Sequence, residues 1–221
     1  MRVKKDRPKV PVFIFDFGGV MIKWRNNYPI YDSISDRYGI PRDDLRRVLE
    51  AALPRLEAGD ISTREFLTSS LGKFGKSLRQ DDSPDVLWTE PFARLAELRV
   101  GSVEIVRSLR RKGFKVYLFS NTSLPHARFL RKVRWDKLFD GFLTSCEIRS
   151  VKPSPTAFRK VLERVDAVPS KVAFIDDKEE NVRGAKDFGM RWTFRFTSVA
   201  RLRRELAALP TVRLGNRAAR S

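Results

Sequence analysis

Residues 171–189 read KVAFIDDKEENVRGAKDFG, and this stretch decides the fold. KVAFID is an apolar run of strand length that closes on an acidic pair, Asp176 and Asp177. KEENVRGAKDFG has helical periodicity and stops at Gly189, a residue suited to the left-handed turn past a helix end. The same alternation runs outward on both sides. Upstream, SVEIVRSLRRK (102–112) is helical, FKVYLFS (114–120) is a buried strand, and LPHARFLRKV (124–133) is helical. GFLTS (141–145) is a short strand, and SPTAFRKVLERV (154–165) is a helix with Ser154 as N-cap. Downstream, RWTFRF (191–196) is a strand and SVARLRRELAAL (198–209) a helix. Strands alternating with helices imply parallel βαβ units with right-handed crossovers. The tail, PTVRLGNRAARS (210–221), lacks periodicity and is expected to be loosely ordered.

At the other end, a basic start, MRVKKDRPKV, precedes the apolar PVFIFDFGGVMI (11–22). This has the outline of a secretion signal, but Asp16 interrupts it, no small-residue cleavage site follows, and it is too short to span a bilayer. It reads as a buried first strand. Between it and residue 99 the pattern changes to helical stretches broken by Pro and Gly, YPIYDSISDRYG, RDDLRRVLEAAL and STREFLTSSLGKF, with no convincing strand. The expected architecture is a Rossmann-like doubly wound parallel sheet (1–23 and 96–221) with a helical cap (24–95) inserted after the first strand. An insert there sits over the carboxyl edge of the sheet, where open α/β folds bind ligands.

The composition suits a globular protein. The 221 residues are 42% hydrophobic, enough for a core, and the single cysteine, Cys146, allows no internal disulfide. A reducing, cytoplasmic setting follows, with Cys146 read as a buried filler. Lys and Arg number 45 against 27 Asp and Glu, a formal charge of +18. Such an excess attracts polyanions without regard to sequence. The basic residues are scattered over helix faces, however, and no nucleic-acid module accompanies them, so nucleic-acid binding is not favoured.

Every chemical candidate falls at the carboxyl end of a strand or just beyond. Asp16 ends VFIFD, Ser120 ends KVYLFS, Asp176 and Asp177 end VAFIDD, and Lys152 follows GFLTS in the loop before a helix. Each alone has a plain reading: an Asp after a strand is often a turn or cap, and a loop Lys is usually solvated. In a parallel sheet, though, all these ends face one crevice. Carboxylates crowded there repel unless a cation holds them, and hard oxygen donors with phosphate suit Mg2+. A carboxylate can also act as a covalent nucleophile. Lys152, the Ser120 hydroxyl and backbone N–H groups of the Gly18-Gly19 turn would then neutralise and orient phosphoryl oxygens. The set reads as a phosphoryl-transfer site.

FIFDFGGV (13–20), LFSN (118–121), VKPSPTAF (151–158) and FIDDKEENVRGAKDFGM (174–190) resemble, in order and spacing, the four motifs of the haloacid dehalogenase-like hydrolases. The likeness is nearest the small phosphatases with a helical cap after the first motif, including the glucose-1-phosphate phosphatase-like branch. LEAGDISTREFL (56–67) is similar to a segment of those caps. The resemblance implies Asp16 as nucleophile, and Ser120 and Lys152 as phosphate-binding groups, with Gly18, Gly19 and Asn121 beside the substrate. It implies Mg2+ held by Asp16, the Gly18 carbonyl and Asp177 with Asp176 assisting, Asn181 as a supporting polar group, and a small phosphorylated metabolite, a sugar phosphate by preference, as substrate.

One position departs from the pattern. Most phosphatases of this kind carry a second Asp two residues after the nucleophile as general acid and base, and here that residue is Gly18. General acid catalysis contributes about 10²–10⁴-fold, so slow turnover of poor leaving groups is expected. A silent binding protein of the same fold is the alternative that Gly18 and the charge motivate. A haloacid dehalogenase is the other, although the acidic pair in FIDD argues for phosphate over carbon–halogen chemistry. His126 is expected near the helix start beyond SNTSLP, facing the cap or the substrate. Trp24, Tyr28 and Tyr31 are candidates to line a pocket beneath the cap or to pack within it.

Overall fold

The computed structural model describes residues 12–24 and 29–209; Tyr28 and the 210–221 tail lie outside the described residues. The chain begins with β1 (Val12–Phe15) and β2 (Ile22–Trp24). Four helices follow: α1 (Pro29–Tyr38), α2 (Arg42–Glu57), α3 (Thr63–Gly72) and α4 (Pro84–Leu95). β3 (Ala96–Leu98) and α5 (Val100–Arg111) lead to β4 (Lys115–Ser120), α6 (Leu124–Lys132) and β5 (Gly141–Thr144). Then come α7 (Ser145–Ile148), α8 (Pro155–Arg164), β6 (Val172–Asp176), α9 (Glu179–Asp187), β7 (Trp192–Arg195) and α10 (Val199–Ala208).

Five strands form one sheet in the order β5-β4-β1-β6-β7, every neighbouring pair parallel. The central strands β1 and β6 are buried at every position, which is why they read as unbroken apolar runs; the edge strands β5 and β7 are only half-covered. Side chains alternate across the sheet. Val12, Ile14, Val172 and Phe174 pack on one face against Phe158 of α8 and Ala185 of α9. Phe13, Phe15, Ala173 and Ile175 pack on the other with residues of α5 and α10. Helices thus cover both faces, the doubly wound arrangement.

Local chemistry accounts for the helix ends. Ser154 caps α8 by accepting the Thr156 N–H at 3.2 Å, as expected. Ser62 and Glu65 form a reciprocal capping box at the start of α3. Gly189 stands just past α9 with φ +96°.

The stretch after β1 differs from the expectation in one respect. PVFIFDFGGVMI is not a single strand: β1 stops at Phe15, a turn follows, and β2 runs antiparallel to β3 as a short ribbon, with Ile22 opposite Leu98 and Trp24 opposite Ala96. The insert therefore leaves and returns through paired strands, where no strand was expected. At three residues each, they are too short to show an alternating pattern. α4 was also unmarked in the sequence, because Pro91 breaks its pattern internally. The insert and sheet share one apolar cluster, from Phe13 and Phe15 through Phe17 and Met21 to Leu45, Leu49 and Phe66.

Candidate active site

The sheet delivers the chemical residues to one edge. Asp16 follows β1 directly, its N–H continuing the ladder to the Ile175 carbonyl at 2.8 Å. Asp176 and Ser120 are the last residues of β6 and β4, and Lys152 stands between α7 and α8. Lys152 is 4% exposed, and its ammonium spends its three protons on Asp16 Oδ1 at 2.6 Å, Asp176 Oδ2 at 2.7 Å and the Phe119 carbonyl at 3.0 Å. Burial pulls this ammonium's pKa down, but the charges and hydrogen bonds of Asp16 and Asp176 reverse that and hold it above the usual lysine value. Lys152 is therefore a permanent cation.

Asp16, Asp176 and Asp177 each place a carboxylate oxygen within 4.8 Å of the others. Burial raises the Asp16 carboxyl to about 7, with Asp176 and Asp177 adding to the rise and Lys152 opposing it. Burial and Asp176 likewise raise Asp177. Three acidic groups against one shared ammonium form an under-neutralised cluster of hard oxygen donors, the donor chemistry that fits Mg2+.

Supporting residues fix this geometry. The Asn181 amide donates to both oxygens of Asp176, at 3.0 and 3.1 Å, and the Lys178 N–H adds a third bond to it at 2.9 Å. Asn121 clasps the Lys152 backbone from both sides: its amide donates to the Lys152 carbonyl at 3.0 Å, and its carbonyl accepts the Lys152 N–H at 2.9 Å. Its side chain is thus occupied in positioning the lysine. Ser120 Oγ makes only a long contact, 3.4 Å, to the Asn121 carbonyl.

The two glycines differ. Gly19 has φ +71°, and a Cβ there would stand 2.1 Å from Asp177 Oδ2, so only glycine fits. At Gly18 the nearest atom to a Cβ is Asp16 Oδ2 at 4.0 Å, so a side chain has room. Arg99, just after β3, holds the turn from outside by donating from Nε to the Gly19 carbonyl at 3.0 Å.

These residues line a cavity of about 330 Å³ roofed by the insert. Tyr31, Leu53, Glu57, Trp88 and Phe92 come from the insert and face Asp16, Ser120, Lys152 and Asp177. Tyr31 lines the cavity and packs beside Trp88, ring centres 6.5 Å apart. His126 is buried between Phe92 and Trp88, stacked on both, and its Nε2–H donates to the Trp88 carbonyl at 2.8 Å. Burial drives its pKa down to about 4, against the raising effect of that hydrogen bond, so it is neutral and faces the insert. Cys146 is buried in α7.

The sequence reading did not find Glu57, at the end of α2. Ser145 Oγ, on the core, donates to the Glu57 carbonyl at 2.6 Å while accepting the Thr122 N–H at 2.8 Å. Gly59, with φ +72°, lets the insert approach the Cys146 carbonyl so closely that a Cβ would meet it at 2.7 Å. Glu57 is half-buried and lines the cavity. Burial raises its carboxyl to about 7, with Lys178 and Lys152 opposing. Its only sequence signal was its place in LEAGDIS, the segment quoted for its likeness to caps.

The doubly wound fold thus gathers three strand ends and the loop before α8, and with them a carboxylate cluster and a buried lysine, at one edge of the sheet. Residues 10–189 match the haloacid dehalogenase-like hydrolases, and the chain belongs to that family. A sesquiterpene phosphatase of Aspergillus oryzae is 30% identical over 80% of this chain and 85% of its own length. A phosphorylated carbohydrates phosphatase of Thermotoga maritima is 28% identical over 80% of this chain and 81% of its own. Among solved structures, a family enzyme of Bacteroides thetaiotaomicron superposes with a TM-score of 0.71 at 24% identity, covering 85% of this chain and 94% of that one. The same enzyme in complex with magnesium and inorganic phosphate gives 0.70 at 23% identity, covering 87% and 98%.

Proposed function

We propose that the protein is a Mg2+-dependent phosphomonoester hydrolase for small phosphorylated metabolites, sugar phosphates by preference, working through an aspartyl phosphate on Asp16. The observation that carries this reading is the buried Lys152 bridging Asp16 and Asp176, with Asp177 completing the carboxylate cluster beside it. Lys152 occupies Asp16 Oδ1 and leaves Oδ2, on the open Gly18 side, to attack phosphorus. As the Asp16–P bond forms, the bond to the leaving oxygen breaks. Water then attacks the same phosphorus, frees Asp16 and releases phosphate. Ser120 and the backbone N–H groups of Gly18, Gly19 and Asn121 receive the phosphoryl oxygens, with the positive charge of Lys152 beside them. Asp16, Asp177, the Gly18 carbonyl and Asp176 would hold the Mg2+, which when bound neutralises phosphate charge beside the nucleophile.

Residues 24–95 serve as the cap, excluding water from the cavity and selecting the organic part of the substrate. The relatives named as phosphatases support the reaction class, and the magnesium and phosphate of the B. thetaiotaomicron complex support the cofactor. No described helix is long and apolar enough to cross a membrane; a cytoplasmic setting accords with the free, buried Cys146. The test is a screen of the pure protein against para-nitrophenyl phosphate and a panel of phosphorylated sugars, with Mg2+ and with EDTA. Metal-dependent release of phosphate is expected; turnover unchanged in EDTA, or none on any compound, would overturn the reading. The second outcome, with a phosphate analogue still bound, would favour the silent binder that Gly18 suggests.

A further inference from the structure

We propose that Glu57, which the insert brings to the cavity that the carboxylate cluster lines, is the general acid and base of this hydrolase, in the role that Gly18 cannot fill. The inference rests on the phosphatase reading above and adds the proton donor which that reading lacks.

The geometry narrows the choice. Glu57 lines the same cavity as Asp16, Gly18 and Lys152. Its position is built rather than incidental: Ser145 holds its carbonyl, and the glycine at 59 seats the end of α2 against the Cys146 carbonyl. Among the described residues no hydrogen bond or ion pair holds its carboxyl, and the charges that act on it are those of Lys178 and Lys152. The other titratable groups around the cavity are Asp16, Asp177, Tyr31, His126, Lys152 and Lys178, and a lysine ammonium such as that of Lys178 is too weak an acid to protonate a leaving group at neutral pH. Asp16 is the nucleophile, Asp177 belongs to the cation site, a tyrosine is too weak an acid at neutral pH, and His126 is neutral with its N–H committed to Trp88. Lys152 has all three protons engaged. A carboxyl poised near 7 is half-protonated at neutral pH, the condition under which one group serves as acid and then as base.

In the first step the Glu57 O–H bond breaks and its proton goes to the leaving oxygen as the P–O ester bond breaks and the Asp16–P bond forms. In the second, the Glu57 carboxylate takes a proton from water as the water oxygen bonds to phosphorus and the Asp16–P bond breaks. Glu57 ends protonated, and an ester plus water has become an alcohol plus phosphate.

The test compares the wild type with Glu57→Gln, which keeps the size and removes the titration, on two substrates in transient kinetics. Para-nitrophenolate needs no proton to leave. Glu57→Gln should therefore give a burst of about one para-nitrophenolate per site at a rate within about threefold of wild type, then turn over about 10²–10⁴-fold more slowly. On glucose 6-phosphate, whose alkoxide does need a proton, the first step itself should slow by the same order, with no burst of glucose. On glucose 6-phosphate the alkaline limb of the wild-type pH–rate profile, where Glu57 loses its proton, should vanish in the variant, while the acid limb set by Asp16 remains. Gly18→Asp should raise the glucose 6-phosphate rate at least tenfold in the Glu57→Gln background and far less in the wild type, which has its donor already; equal gains in both would mean that Glu57 donates nothing. Equal losses on both substrates and both steps, a raised Mg2+ requirement as the sole change, or no change at all would each overturn the inference and leave the phosphatase standing. Absence of turnover by the wild type would overturn the phosphatase reading and this inference with it.

Discussion

Asp16 illustrates how one side chain carries opposed demands. As the proposed nucleophile it works from a dry cavity, yet burial beside two other acids raises its pKa to about 7. Asp16→Asn should abolish turnover, because an amide cannot attack phosphorus, while filling the same space and melting no lower than wild type in metal-free buffer. Circular dichroism on heating, with assay of the same sample, checks both halves. The cation side has its own readout. Mg2+ should raise the melting temperature of the wild type by preferential binding to the folded state, and Asp177→Ala should lose that shift along with most of the activity. At the nucleophile turn, Gly19→Ala should lower activity at least tenfold, since its Cβ would overlap Asp177 and its φ is left-handed. Gly18→Ala should be tolerated in the fold. Asp16, Ser120, Asp176 and Asp177 could be read from the sequence because each sits at the end of an apolar run that announces a strand, and Lys152 because it lies in VKPSPTAF, a loop leading into a capped helix. Glu57 could not. Ser145, which anchors it, is 88 residues away in the chain, and a single Glu at the end of a charged helix looks like a solvated surface group.

Among the elements, the contact of α4 with α6 is where a titration should register in stability. A histidine in an unfolded chain takes up its proton near 6.5, whereas buried His126 does so at about 4. Between those values the unfolded state binds more protons, so stability falls as the pH drops through that window, by about 3 kcal/mol in all. His126→Gln keeps an N–H for the Trp88 carbonyl and removes the titration. Its deficit against wild type should therefore shrink from pH 7 to pH 4.5, as read by denaturant unfolding at each pH; a constant gap would show that His126 does not titrate this way. The legibility of the elements follows from burial. β1, β4 and β6 bury nearly every side chain and stand out in the sequence, while β2 and β3 depend on each other across the insert and have no pattern of their own. The helices α8 and α9 were marked by Ser154 and Gly189, whereas α4 carries Pro91 inside it.

For the protein at large, the +18 charge bears on encounter more than on fold. Many of its basic side chains are tied up in surface ion pairs, such as Arg46–Glu50, Arg131–Glu147 and Arg201–Glu205, each contributing little to stability. The net field remains, and a doubly charged phosphate ester should feel it. Raising the ionic strength from about 0.02 to about 0.2 M should lower kcat/KM several-fold while moving kcat less than about twofold. Equal sensitivity of both constants would place the salt effect inside the cavity instead.

The ribbon of β2 and β3 has a consequence for how such proteins diversify. Because the chain leaves for the insert and returns from it on hydrogen-bonded neighbours, about seventy residues hang from what is, for the sheet, a single hairpin opening. Exchanging one such cassette for another of different length alters the loop-closure entropy only logarithmically, so in connectivity the insert is free to be replaced. In packing it is not: Phe17 stacks on Phe92, and His126 is sandwiched between Phe92 and Trp88. A graft of a relative's insert onto residues 22 and 98 should close without strain yet leave Phe17 and His126 wet. Inheritance of a new insert would thus require the recipient's ceiling-facing residues to change together with the piece they receive.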